Sequence, residues 1–97
     1  MSVVVRVEAQ AKPDTRDVLI DALRDILPET RAYEGCDFVD VLCDLDNPDT
    51  VVLAERWTSR EHYQTYINWR AERGDLDKLI ALLSGPPSFR FFEKVDA

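Results

Sequence analysis

Val51-Val52-Leu53-Ala54-Glu55-Arg56-Trp57-Thr58-Ser59-Arg60-Glu61-His62-Tyr63 changes its period partway along. Up to Trp57 it alternates as a strand does, and from Tyr63 onward Tyr63, Tyr66, Ile67 and Arg70 form a stripe at helical spacing. Between them Thr58-Ser59-Arg60-Glu61 matches a capping box, a hydroxyl at the helix entry with a carboxylate three residues on. A strand, a sharp entry and a helix are therefore expected in succession here.

Working back from this stretch, Asp46-Asn47-Pro48-Asp49 carries turn chemistry, and Cys36 to Asp44 alternates again. So short a link predicts an antiparallel hairpin. Val3 to Ala11 reads as a half-buried strand, with Val3, Val5, Val7, Ala9 and Ala11 on one side, and Lys12-Pro13-Asp14 stops it. From about Asp14 a helix follows, carrying Val18, Leu19, Ala22, Leu23, Ile26 and Leu27 on one stripe. Pro28 predicts a kink or an end, with the last turn between Leu27 and Tyr33 and Gly35 free for a left-handed exit.

Working forward, Gly74 and Asp75 interrupt the second helix, with Asp75 a candidate N-cap, and Leu76, Leu79, Ile80 and Leu83 predict a short third one. Gly85-Pro86-Pro87 ends it, and Ser88 to Val95 resumes alternation with Phe92 out of phase. The order β-α-β-β-α-(α)-β is that of an α+β, ferredoxin-like domain over residues 1–97, a four-stranded antiparallel sheet with helices on one face. Phe38, Leu42 or Phe92 would then lie bare on the other face, which a second copy, in a homodimer, would cover.

A chain of 97 residues, 45% hydrophobic and 32% charged, suits one marginal core that association would help. Twelve Lys and Arg against nineteen Asp and Glu give a net charge of −7, which opposes nucleic acid and anionic membranes as partners. No apolar run approaches the roughly 20 residues of a bilayer span, and Arg6 breaks the start too early for a signal core, so a cytoplasmic location is expected. Cys36 and Cys43, seven apart on one strand, would stand on opposite faces about 23 Å apart at about 3.3 Å per residue. They cannot bridge and are expected to be buried structural residues. With His62 the sole histidine and no CxxC, no metal cluster is expected, and the acidic run from Asp37 to Asp49 lacks the calcium-loop pattern. GxGxxG, a nucleophile elbow and HExxH are all missing, so no nicotinamide cofactor, ATP chemistry or metalloprotease chemistry is supported.

Several pieces in order carry a resemblance: the Val-rich first strand ending in Lys12-Pro13, Tyr33-Glu34-Gly35-Cys36, the Asp44 to Pro48 turn, Glu55 to Glu61, and Gly85-Pro86-Pro87. Over nearly its whole length the chain resembles the antibiotic biosynthesis monooxygenase family of small dimeric α+β barrels. That resemblance implies oxidation of electron-rich phenols, quinols or anthrols to quinones by molecular oxygen, with neither metal nor flavin. In the polycyclic-phenol oxidisers of that family a tryptophan ending the third strand and a tyrosine six residues later face the substrate, matching Trp57 and Tyr63. The asparagine four residues before that tryptophan is Leu53 here, so its contact is not carried over. The haem-degrading branch fits less well, since Arg6 stands near the position of its asparagine, Trp69 is about one turn displaced, and His62 opens the second helix rather than following it.

A substrate that is itself the electron donor needs an apolar pocket, a way to ionise its phenol, and polar groups that hold the anion. Trp57 is expected to pack against the substrate ring and Tyr63 to hydrogen-bond its oxygen. Tyr66 and Trp69 are candidate walls, Arg90 or Arg70 a candidate cation, and His62 a candidate base. Asn68 to Gly74 would cap the opening. Packing is the competing role for each aromatic, and solvated or paired surface the competing role for Arg90, His62 and Asn68. The alternatives are a non-catalytic dimeric small-molecule-binding module, and an isomerase or degrading enzyme for a small carbonyl compound with Arg90 beside an anionic intermediate.

Overall fold

The computed structural model describes residues 2–97. Strand β1 (Val3–Gln10) leads into α1 (Arg16–Ala32), the hairpin β2 (Cys36–Cys43) and β3 (Thr50–Trp57), α2 (Arg60–Glu72), α3 (Asp75–Ile80) and β4 (Ser88–Phe92). The strands form one sheet in the order β2-β3-β1-β4, every neighbouring pair antiparallel. This is the α+β, ferredoxin-like arrangement expected from the periodicity.

Register sets the two faces. Val5 pairs with Glu55 and Phe91, Val7 with Leu53 and Phe89, and Val39 with Glu55, so these side chains share the face that the helices cover. Leu19, Leu23 and Leu27 of α1 close on Val39, Val51 and Leu83, while Val5, Val7, Trp57, Tyr63 and Tyr66 form a second cluster beside it. Burying one such leucine contributes about 1.5–3 kcal/mol. The opposite face carries Arg6, Arg56 and Arg90 with Phe38, Leu42 and Phe92, and these three apolar side chains are 38%, 45% and 37% exposed.

Local chemistry moves some boundaries. Helix α1 passes Pro28 and ends at Ala32, inside the window between Leu27 and Tyr33 expected for its last turn, where Thr30 is buried and bonded to Tyr66 and Arg70, tertiary bonds that offset the missing backbone donor. Thr58, just past β3, is held by its N–H donating to the Gly35 carbonyl at 2.8 Å, so the cap of α2 falls on Ser59, whose Oγ accepts from the His62 N–H. Gly74, left-handed at φ 81°, caps α3 in place of Asp75. β4 stops at Phe92, which faces Val4 near the start of β1, and Val95 beyond it is exposed. The cysteines differ from expectation too. Cys43 is exposed at the end of an edge strand, and Cys36 is half-buried at the other end, beside a register shift. Both are free thiols, and burial, reinforced by Glu55 and Asp37, pushes Cys36 up to about 11.

Candidate active site

The inward end of β3 and the first turns of α2 bring the predicted aromatics together. Trp57 is fully buried and Tyr63 and Tyr66 nearly so. Trp57 lies with ring centroids 4.9 Å from Tyr66 and 5.4 Å from Tyr63, and Phe91 meets Tyr63 edge-on at 5.7 Å. Tilted and edge contacts of this kind each contribute about 0.5–1.5 kcal/mol beyond the area they bury.

Between the sheet and the three helices lies a cavity of about 290 Å³. Its walls are mostly apolar, supplied by all three helices and the sheet, and four of its lining residues carry polar side-chain atoms: Glu55, Tyr63, Tyr66 and Arg70. Tyr66 and Arg70 are already committed. The Arg70 guanidinium has five N–H donors. They go to the Tyr66 hydroxyl at 3.0 Å, Asp75 at 2.8 Å, Glu29 at 3.4 Å, the Ile26 carbonyl at 2.8 Å and Thr30 Oγ1 at 3.0 Å. The Tyr66 hydroxyl also shares a 2.6 Å hydrogen bond with Thr30. Arg70 thus ties α1, α2 and α3 together, and has no donor left for a ligand.

Glu55 and Tyr63 are different. Glu55 sits mid-sheet between Val5 and Val39, and one of its carboxylate oxygens accepts a hydrogen bond from the Trp57 indole N–H at 2.9 Å. Burial pushes its pKa up to about 7, and the indole bond offsets only part of that. The Tyr63 hydroxyl enters no hydrogen bond among the described residues, and burial, aided by the charge of Glu55, holds it protonated. Among the described residues no fully buried polar side-chain atom lacks a partner. The Tyr63 hydroxyl and the second Glu55 oxygen therefore open onto the cavity, each with hydrogen-bonding capacity unspent.

The remaining candidates stand elsewhere. Trp57 does not line the cavity but backs Glu55. Arg90 lies on the opposite face of the sheet, over the Phe92 ring at 5.0 Å, because it alternates with the inward Phe89 and Phe91. It cannot serve the cavity as a cation, which also removes the group the carbonyl-isomerase alternative needed. His62 packs over Gly35 with its Nδ1 2.7 Å from the Ser59 hydroxyl, outside the cavity. Asn68 is exposed and accepts a hydrogen bond from Gln64 at 3.0 Å. Trp69 is half-buried beside Tyr33, with the guanidinium groups of Arg70 and Arg73 4.7 and 4.8 Å from its ring centre. Glu55 was missed in the sequence, although its signal is there: it alternates in phase with Val51, Leu53 and Trp57, which places a carboxylate on the apolar face.

A small α+β domain with an apolar cavity between sheet and helices is the class that fold and site define. The sequence model described as antibiotic biosynthesis monooxygenase matches residues 2–74, and the chain belongs to that family. Rv0793 from Mycobacterium tuberculosis is 27% identical, aligned over 100% of this chain and 98% of its own with a TM-score of 0.78. A conserved protein from Methanosarcina mazei Go1 superposes with a TM-score of 0.89 at 20% identity, over 98% of this chain and 94% of its own. A structure described as an antibiotic biosynthesis monooxygenase gives 0.85 at 18% identity, over 97% and 99%. No curated protein sequence matched the chain.

Proposed function

We propose that this chain is a cofactor-independent monooxygenase that oxidises a small reduced aromatic, a quinol, anthrol or polyphenol, with molecular oxygen, and that it works as a homodimer. The observation that carries the reading is the apolar cavity onto which the Tyr63 hydroxyl and a Glu55 oxygen both open. An electron-rich phenol reacts with oxygen once ionised, and a dry cavity strengthens the hydrogen bond that holds the phenolate. Tyr63, kept protonated, is the donor for that oxygen, and Trp57 positions the carboxylate beside it. The exposed Phe38, Leu42 and Phe92 support a second copy on the outer face. Among the described residues no helix is long and apolar enough to cross a membrane.

Oxygen uptake with a panel of quinols and anthrols, chelator present, tests the reading against protein-free autoxidation. Wild-type acceleration that falls in both Tyr63→Phe and Trp57→Phe is expected. No acceleration with any member of the panel would reject it in favour of the binding module, a reading that the otherwise apolar wall, Leu53 included, supports.

A further inference from the structure

A buried carboxylate is expensive to maintain unless it is paired with a cation or has a task. Among the described residues Glu55 has no cation partner. The one guanidinium in the cavity wall, Arg70, spends all five donors elsewhere, and Arg90 stands behind the sheet. Among the described residues its single hydrogen bond, from the Trp57 indole, fixes one oxygen and leaves the other without a partner, and Glu55 and Tyr63 both line the cavity. A ligand placing a hydroxyl there meets an acceptor in Glu55 and a donor in Tyr63. A ligand placing an anion there meets a negative charge in a low-dielectric site with no positive one to offset it.

We infer that Glu55 is the base of the oxygenase reaction proposed above, on which this inference rests, and that it selects neutral phenols, hydroxyl first, over aromatics bearing an anionic group. The phenol O–H bond breaks and its proton passes to the free Glu55 oxygen. The phenolate, held by Tyr63, gives one electron to dioxygen, and the phenoxyl and superoxide radicals couple to form a C–O bond at a ring C–H position. Glu55 returns its proton to the distal peroxide oxygen, and loss of water with the ring hydrogen leaves the quinone. One phenol and one dioxygen become one quinone and one water, so the four electrons lost by the ring are those gained by oxygen.

The titratable and charged groups around Glu55 are Cys36 on β2 and Tyr63, Tyr66 and Arg70 on α2, while its strand neighbours are Val39 on β2 and Val5 on β1, beyond which β4 presents Phe91. Cys36 is held as a thiol up to about 11, and burial raises both tyrosines above their ordinary range. Glu55, at about 7, is the member of this set that changes charge between pH 5.5 and pH 8.

Calorimetric titration with 2-naphthol and with 2-naphthoate, an anion across this window, separates the inference from the function it rests on, because neither titration requires turnover. At pH 8 wild type is expected to bind the naphthol at least about tenfold more tightly than the naphthoate. At pH 5.5, with Glu55 protonated, the gap narrows, and in Glu55→Gln it is small at both pH values. With any phenol that is turned over, Glu55→Gln is expected to lower kcat by about 10²–10⁴-fold and abolish the rise in rate through pH 7. Equal affinity of wild type for the two probes at pH 8, binding of neither, or a pH response that survives in Glu55→Gln would each overturn the inference. Should the variant not fold, the wild-type pH comparison alone decides. Discrimination between the probes without oxygen uptake on any phenol would reject the oxygenase reading while upholding the selectivity assigned to Glu55.

Discussion

Between about pH 4.5 and 7 the folded chain holds a proton at Glu55 that the unfolded chain releases. Folding stability therefore falls as pH rises through that window, and the full penalty, about 3 kcal/mol for a shift of this size, stands above it. Glu55→Gln keeps an acceptor for the Trp57 indole, so its Tm is expected to exceed that of wild type at pH 8 and to converge with it near pH 4.5. Thermal melts across that range check this, and parallel pH profiles would contradict it. Tyr63→Phe removes a hydroxyl that bonds to nothing in the described chain, and a stability change under about 1 kcal/mol is expected even where turnover drops. Arg70→Met is the contrasting case. It leaves Asp75 with Arg73 alone, leaves Thr30 and the Tyr66 hydroxyl with only each other, and frees the Ile26 carbonyl, and denaturant titration should show a loss of about 1–3 kcal/mol.

At the scale of elements, one glycine fits the β2 entry to the α2 entry. Gly35 has φ 92°, and a Cβ added to it would meet the His62 ring and Cβ at 2.7 Å. Gly35→Ala should destabilise by more than the roughly 1–2 kcal/mol of left-handed backbone alone, and His62→Ala in the same chain should recover the steric part, read from denaturant midpoints. The elements themselves were legible because apolar periodicity records burial directly: Val3 to Ala11 and Leu19 to Leu27 expose and bury as their spacing says. What was not legible depended on contacts distant in sequence. The passage of α1 through Pro28 rests on Tyr66 and Arg70, and the placement of the cap on Ser59 rests on a bond from Thr58 to Gly35. For the site, Tyr63 and Tyr66 were readable as inward stripe residues. Arg90 was readable only as opposite Phe89 and Phe91, and which face held the cavity was settled by the packing of the helices. Glu55 escaped notice because a charged residue on a strand is ordinarily assigned to solvent, and only its phase spoke against that.

For the molecule as a whole, the net charge of −7 is unevenly spread. Arg6, Arg56, Arg90 and Lys94 gather with Phe38 and Phe92 on the outer face of the sheet, and Arg6 lies directly opposite Arg90 across the strands. Under the proposed homodimer this face is covered, so Leu42→Lys combined with Phe92→Glu should lower the mass measured by sedimentation to that of one chain, with the helical signal retained. Unchanged mass would point away from this face. Trp57 and Trp69, the two tryptophans of the chain, occupy unlike surroundings: the first has no solvent-exposed surface, and the second is half-exposed beneath two guanidinium groups. An excited indole lowers its energy by reorienting nearby water, and Trp57 has none to reorient. Its emission should lie at short wavelength in the native state and move to the red only when the sheet and α2 separate. The unlabelled protein thus contains an optical gauge of whether the wall behind Glu55 is intact, usable before any substrate has been found.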